Sequence, residues 1–247
     1  MGVRFELSAL EEVVPWGEHR RLHWFALTQG RYCLDIGGVE FLRYATPPTD
    51  SPDESGSTAW ADYYVVRLWE DLLGVLPSAL EPVPDDLVEF FAAGSGHWAE
   101  TEDPAVDAAT DAYGVRWTDS GYLRFGPSFH WWRTLGPEDT ITVAWQQNAD
   151  PEGEIAFSAP PSGRRTIGTS EFVSAMTDFD RRLLDAMQER IDRLTETGLA
   201  RDIELDLPAL VREQAQRRTW LSRALAAQGE TDWAAVRAGV AILAPLG

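Results

Sequence analysis

The chain has 247 residues, of which 44% are hydrophobic and 25% are charged, as in ordinary globular proteins. Its formal net charge of −19 disfavours nucleic acid and anionic membranes as partners, because both repel a polyanion. The one cysteine, Cys33, excludes an internal disulfide and metal sites built from several cysteines.

The first 45 residues predict β-strands. A short strand in VRFEL precedes an antiparallel meander of three strands, LHWFAL (22–27), RYCLDI (31–36) and VEFLRY (39–44). Gly37 and Gly38 supply a tight turn between the last two strands, because both turn positions can take positive φ.

Residues 60–93 predict two helices. Apolar residues from Trp60 to Leu72 recur at helical spacing, and the EDLL ending favours a helix that ends near Gly74 and Pro77. The β-branched YYVV stretch would also suit a strand. PDDLVEFFAA predicts a second, short helix with Pro and Asp at its start, and residues 94–112 read as loop and marginal helix.

A second block of strands is predicted at 121–158. Its members are YLRF, SFHWWRTL, TITVAWQQ and EIAFS, and APPSGRRTIG follows them as a loop. In the third of these strands apolar and small or polar residues alternate, as expected of a half-buried strand.

The segment 169–244 predicts helices. After a cap at Thr169 or Ser170, apolar residues follow at helical spacing: Phe172, Met176, Phe179, Leu183, Met187, Ile191 and Leu194. A second helix is expected from Asp206 to about Gly229, and a third after a cap at Thr231. The chain therefore predicts a single α+β domain over 1–247, with an antiparallel sheet built from blocks 3–44 and 121–158 and helices at 60–93 and 169–244.

The negative charge is concentrated in residues 46–112. This segment has fifteen Asp or Glu and one Arg, a charge of −14, whereas the other 180 residues carry −5. It suits a basic protein partner, as in immunity or inhibitor proteins, although acidity can also serve solubility alone. The candidate docking residues are Asp62, Glu70, Asp71, Asp85, Asp86 and Glu89.

Three of the four histidines, His23, His97 and His130, directly precede a tryptophan. No spacing typical of a metal site joins them, so no metal is expected. Adjacent residues of a strand face opposite sides, which predicts Trp inward and His outward. In FHWWR (129–133) one aromatic side chain is expected to stay exposed, unless helices cover both faces of the sheet.

A second hypothesis is an enzyme or small-ligand binder. Its aromatic pocket would bring the histidines together with Arg133 and Glu70, and an arginine beside aromatic rings suits a sugar, a nucleobase or a peptide. The candidate ligand-binding residues are His23, Trp24, His130, Trp131, Trp132 and Arg133.

Motifs that carry chemistry are absent. The sequence has no nucleophile elbow, no phosphate-binding loop and no dinucleotide fingerprint, so no catalytic residue and no cofactor are assigned and an enzyme is not favoured. The acidic N-terminal stretch does not resemble a signal peptide, and no apolar run reaches 18 residues, which predicts a cytoplasmic protein.

Three stretches carry a resemblance to a known family: PWG followed by LHWFALTQGRYCLDIGG, then YYVVRLWEDLLGVLPSALEPVP, and later FDRRLLDAMQERI. They resemble an uncharacterised, mainly actinobacterial family, a domain of unknown function, over nearly the whole chain. The resemblance implies a single domain and a GC-rich bacterial source, which would account for all 21 basic residues being Arg. It implies no catalytic residue.

Overall fold

The computed structural model describes residues 1–46, 59–197, 203–227 and 229–243 and confirms an α+β fold. The strands are β1 (Gly2–Leu7), β2 (Arg21–Leu22), β3 (Gln29–Ile36), β4 (Val39–Phe41), β5 (Ala61–Tyr64), β6 (Trp117–Asp119), β7 (Ser128–Leu135), β8 (Asp139–Gln146), β9 (Ser162–Gly168) and β10 (Glu204–Leu205). The helices are α1 (Val65–Leu80), α2 (Val88–Ala93), α3 (Asp107–Gly114), α4 (Thr169–Thr197), α5 (Leu207–Arg217), α6 (Trp220–Ala226) and α7 (Trp233–Leu243). The single-domain organisation stays a prediction.

The two strand blocks form two antiparallel sheets rather than one. In the first sheet β3 is central, with β1 on one side and β4 and β5 following each other along the other side. The second sheet has the order β6-β7-β8-β9. An isolated bridge between Tyr44 and Phe157 joins the two blocks. The predicted turn is confirmed, since Gly37 and Gly38 have φ of 58° and 82°.

The predicted strand LHWFAL is wrong. Only Arg21 and Leu22 are extended, and they pair with β10 in parallel rather than with β3. The amide of Ala26 donates to Nδ1 of His23 at 3.2 Å, and a 3-10 turn follows at Ala26–Thr28. This local hydrogen bond replaces the ladder bond that a strand would need.

The helix predicted from Trp60 begins later and ends later. Ala61–Tyr64 is the strand β5, which pairs with β3, so the strand reading of YYVV is right for its first two residues. The helix α1 then continues beyond Pro77 to Leu80. Pro77 removes one backbone hydrogen bond and crowds the carbonyl one turn earlier, and burial of nine side chains of α1 outweighs that cost.

Two strands of the second block were placed wrongly. YLRF contains a 3-10 turn at Gly121–Leu123, and EIAFS makes a single bridge at Phe157. The strands that complete the sheet are β6 and β9, although the residues of β9 were predicted as a loop. The strand β9 lies at the edge of the sheet, and five of its residues are exposed. Its sequence therefore lacks the alternation of apolar and polar residues that predicts a strand.

The C-terminal helices agree with the sequence in their main features. All seven apolar positions predicted along α4 are buried. The second helix is interrupted after Arg217 and becomes α5 and α6. The predicted cap at Thr231 is wrong, because the Asp232 carboxylate accepts from the first amides of α7 while Thr231 bonds to Glu81.

Two groups of buried side chains fill the fold. The main core lies between the first sheet, α1, α4 and one face of the second sheet. The other group packs α2, α3 and α7 against the opposite face of β7, and we call residues 83–116 and 229–243 the second lobe. Phe129 and Trp131 belong to the main core and Trp132 to the second group. Both faces of β7 are therefore covered.

Candidate functional site

Most of the predicted docking carboxylates are already paired within the chain. Of the six, four contact arginines: Asp62 with Arg31, Glu70 with Arg217, Asp71 with Arg67 and Asp86 with Arg237. Asp62 lies in β5, and Glu70 and Asp71 lie in α1. The other three candidates, Asp85, Asp86 and Glu89, come after the end of α1. The structure therefore does not present the six carboxylates as one unpaired set.

The second lobe carries further exposed acids. We call the following residues the acidic face: Asp85, Glu89, Glu100, Glu102, Asp103, Asp107 and Asp111. All are exposed, and none forms an ion pair within the part of the chain that the structure describes. No Arg or Lys occurs in the sequence between Arg67 and Arg116. Asp85 and Glu89 are the only predicted docking residues on this face.

The histidine–tryptophan pairs do not share one orientation. Trp24 is buried and His23 is half-buried, but neither lies in a strand, so the alternation used for the prediction does not apply to them. The prediction is wrong for FHWWR, because His130 is only 2% exposed and both Trp131 and Trp132 are buried. The open alternative, a strand covered on both faces, is the one that the structure shows. For His97 the side chain lies outside the described part.

The residues of the second hypothesis lie in separate places. The ring of His23 packs with Trp16 and Phe25, whereas His130 packs among rings of the second lobe. Arg133 donates to Asp139 and to the carbonyl of Leu80, and Glu70 pairs with Arg217. Among the described residues proposed for the aromatic pocket, His130 lines the aromatic cavity described next. In the described ranges no group of three His, Cys, Asp or Glu side chains could hold a metal ion.

A cavity of about 380 Å³ lies beside His130. We call it the His130 pocket, and its walls come from the end of α2, the following Gly94–Gly96 turn, α3, β6, β7 and β8. The lining residues are Phe91, Ala92, Ala93, Gly94, Ser95, Gly96, Tyr113, Trp117, His130, Ala144, Trp145 and Gln146. Its lining combines aromatic and small side chains with polar atoms in similar amounts, and it contains no charged side chain.

The imidazole of His130 is held neutral. Burial lowers its pKa to about 3, and the carbonyls of Tyr113 and Phe91 oppose this shift only in part. Nε2 lies 3.2 Å from the carbonyl oxygen of Tyr113, which can only accept, so Nε2 carries the proton. Nδ1 then carries a lone pair, and this atom is buried without a hydrogen-bond partner among the described residues.

Unpartnered buried polar atoms concentrate in this region. In the described chain they are Nδ1 of His130, Nε of Arg116 and Nε1 of Trp98. Arg116 and Trp98 belong to the second lobe, and His130 packs against it. Buried polar groups are nearly always hydrogen-bonded, so these three atoms are exceptions among the described residues.

A wider groove of about 720 Å³ lies between β1 and α4, but most of its charged groups pair with one another. The N-terminal amine pairs with Glu171, Arg4 with Glu40, and Arg182 with Asp178. Compared with the His130 pocket, this groove leaves no buried polar atom without a partner within the described residues.

Sequence reasoning missed most of the His130 pocket. FHWWR and GHW drew attention to its neighbourhood, but Phe91, Tyr113 and Trp117 carried no signal of their own. They come from α2, α3 and β6, and only the packing of the second lobe brings them to His130.

Among the predicted docking residues, Asp71 has a distinct titration. Burial raises the pKa of its carboxyl to about 6, against the opposing effects of Arg67 and the Tyr122 hydroxyl. A raised carboxyl pKa stabilises the fold fully below the unfolded value near 3.8, and this stabilisation is lost as the pH rises through about 6.

We therefore expect Asp71→Asn to remove a pH-dependent destabilisation of the wild type. Relative to this variant, the wild-type free energy of unfolding should fall by about 1–3 kcal/mol between pH 4 and pH 7, the range allowing for partial solvent screening. Urea denaturation at both pH values measures the difference. Asp85→Asn, at an exposed carboxylate, should stay parallel to the wild type, and a D71N curve that also stays parallel would refute the assignment.

None of the helices within the described ranges has the length and apolar content that a bilayer crossing requires.

A family model described as "Family of unknown function (DUF5984)" matches residues 2–239, which confirms the expected similarity over nearly the whole chain. Comparison of the chain with curated proteins and with solved structures gives no match.

Proposed function

Because this chain belongs to the family of unknown function DUF5984, we propose its function from its geometry: it is a non-enzymatic binding protein that holds a small molecule in the His130 pocket. The observation that carries the proposal is the cavity of about 380 Å³, whose walls combine aromatic rings with small side chains and carry no charged side chain. Such concave sites are where small molecules are usually bound.

The lining supports binding rather than catalysis. It contains no Cys, Asp, Glu, Lys or Arg, so there is no thiol and no carboxylate to act with His130. With its pKa lowered to about 3, His130 is a weak base at neutral pH, and its Nε2 is engaged by Tyr113.

Filling the cavity tests this proposal. Ala144 lines it from β8 and is half-buried, so Ala144→Phe places a ring in the space that a ligand needs. We expect saturation-transfer NMR to detect indole or benzofuran, two uncharged bicyclic probes, on the wild type but not on A144F. The matched control is Ala241→Phe, at an exposed position of α7, which should bind like the wild type. Failure of both probes on the wild type, or unchanged binding to A144F, would overturn the proposal.

A basic protein partner is a second candidate. The acidic face supports it, and Val115 and Trp117, 53% and 39% exposed, follow α3 directly and add apolar contact area. Such a surface is typical of proteins that dock a basic partner, as immunity and inhibitor proteins do. The net charge of −19 also argues against nucleic acid as the partner.

Charge neutralisation distinguishes this candidate from general attraction by an acidic protein. One variant changes Glu100, Glu102, Asp107 and Asp111 to amides, and the control changes the exposed Asp185, Glu189, Asp192 and Glu196 of α4. We expect the association rate with a deca-arginine peptide to fall about fivefold or more in the first variant only, and to fall with added salt. Equal effects of both variants, or no salt dependence, would contradict docking through the acidic face.

We further propose a cytoplasmic location and an actinobacterial source, on composition alone. A single cysteine cannot form an internal disulfide, so the chain does not need an oxidising compartment. The use of Arg at all 21 Lys or Arg positions is typical of a GC-rich genome.

A further inference from the structure

Resting on the proposed function, we infer that the His130 pocket takes an uncharged sugar, whose C–H face packs on the ring of Trp117 and whose hydroxyl groups bond to the side chains of Gln146 and Ser95. Three properties of the pocket lead to this class of ligand. They are an exposed tryptophan in the lining, neutral polar groups beside it, and the absence of charged side chains.

The second sheet brings Trp117 and Gln146 to the same side as His130. Trp117 in β6 pairs with His130 in β7, and His130 pairs with Ala144 in β8, so the three residues form one row across the sheet. Directly paired residues of an antiparallel sheet project from the same face. Gln146 lies two residues after Ala144 in β8 and therefore shares that face. All four residues line the pocket.

Trp117 offers an open aromatic surface. Its side chain lines the cavity, yet the residue is 39% exposed. Its ring centroid lies 6.2 Å from that of Tyr113 and 6.1 Å from that of His130, at inclinations of 34° and 42°, so neither ring stacks flat on it. The uncovered part of the indole can receive the C–H face of a sugar ring through dispersion and weak C–H contacts.

Neutral polar groups lie in the same lining. Gln146 and Ser95 line the cavity and are exposed, so their side chains can bond to a ligand. An amide group and a hydroxyl group each donate and accept hydrogen bonds, which suits the hydroxyl groups of a sugar. A ligand with one apolar face and hydroxyl groups at its edge therefore matches this mixed lining better than a ligand that is apolar all round.

The lining offers no counter-charge. Its ionisable members are His130, whose pKa burial lowers to about 3, and Tyr113, whose pKa burial raises above its ordinary value. Both side chains are thus neutral at neutral pH, and a charged ligand would lose its hydration without gaining an ion pair in the pocket. The cavity of about 380 Å³ has room for a sugar ring.

Methyl β-D-glucoside and sorbitol test this inference, because both carry several hydroxyl groups but only the glucoside has a ring with a C–H face. We expect NMR titration to show that the glucoside binds the wild type at least about tenfold more tightly than sorbitol does. Trp117→Ala should weaken glucoside binding about tenfold, and Trp117→Phe should weaken it less. Gln146→Ala should weaken it about threefold or more. The matched control is Trp16→Ala, at a tryptophan that is 41% exposed and lies outside the pocket.

The outcomes separate this inference from the proposed function. Binding of indole without binding of the glucoside would overturn the sugar class and leave the pocket a binding site. Equal affinities for the glucoside and sorbitol, or undiminished glucoside binding by Trp117→Ala, would overturn packing on Trp117. Glucoside binding that survives Ala144→Phe would place the sugar outside the pocket and so contradict the inference. Tighter binding of methyl β-D-glucuronide would replace the uncharged class by an acidic one. If neither indole nor the glucoside binds the wild type, the proposed function falls together with the inference.

Discussion

Replacing Glu81 by Ala lowers the free energy of unfolding by about 3–5 kcal/mol, because it leaves the buried guanidinium of Arg116 without its carboxylate. Nη2 of Arg116 donates to Glu81 at 2.7 Å, and the arginine side chain is 0% exposed. Glu81 also accepts from the amide and the hydroxyl of Thr231, so the substitution loosens the segment that leads into α7. Urea denaturation followed by circular dichroism measures the loss.

A double variant separates the ion pair from the packing around it. Glu81→Leu with Arg116→Met removes both charges, so it should be less destabilised than Glu81→Ala alone. Asp86→Ala is the matched control, because its pair with Arg237 is exposed and should contribute less than about 1 kcal/mol. Equal losses in the Glu81 and Asp86 variants would show that burial of the first pair has no energetic consequence.

The second large effect is expected at Arg217, where Arg217→Ala should cost about 3–5 kcal/mol. The guanidinium packs over Trp24 at 4.2 Å and over Trp220 at 4.6 Å from the ring centroids. It also donates to Glu70 at 2.7 Å, and Arg217 itself is 6% exposed. The substitution therefore removes packing between tryptophans and leaves Glu70 without its partner.

Two further variants define the cause of that loss. Arg217→Lys keeps the charge but not the flat group that stacks on the rings, so it should lie between the wild type and Arg217→Ala. Arg181→Ala removes an exposed arginine of α4 and should change stability by less than about 1 kcal/mol. Stability of R217A within about 1 kcal/mol of R181A would contradict a structural role for Arg217.

The sequence predicted those parts of the fold in which one face of an element is buried. The seven apolar positions predicted along α4 recur at helical spacing, and all seven are buried. The edge strand β9 follows no such pattern, because most of its side chains are exposed to solvent. Its pairing with β8 is made by the backbone. For Ala61–Tyr64 the sequence left helix and strand open, and the pairing with β3 decides for a strand.

The candidate site was predicted only at its centre. FHWWR drew attention to His130, but its burial depends on which elements cover β7, and α2, α3 and α7 come from distant parts of the chain. The same limit applies to the acidic residues. Glu70 and Asp86 looked available in the sequence, although their arginines, Arg217 and Arg237, lie about 150 residues later.

The position of α7 in the chain has a consequence for the order of events during synthesis. Trp233 and Val236 complete the second lobe, yet the ribosome makes them long after Phe91 and Tyr113. Until α7 emerges from the ribosome, the aromatic side chains that it covers stay exposed to water and to chaperones. The second lobe is thus among the last parts of the molecule to be completed, and a nascent chain that stalls before Trp233 would leave Phe91 without its contact to α7.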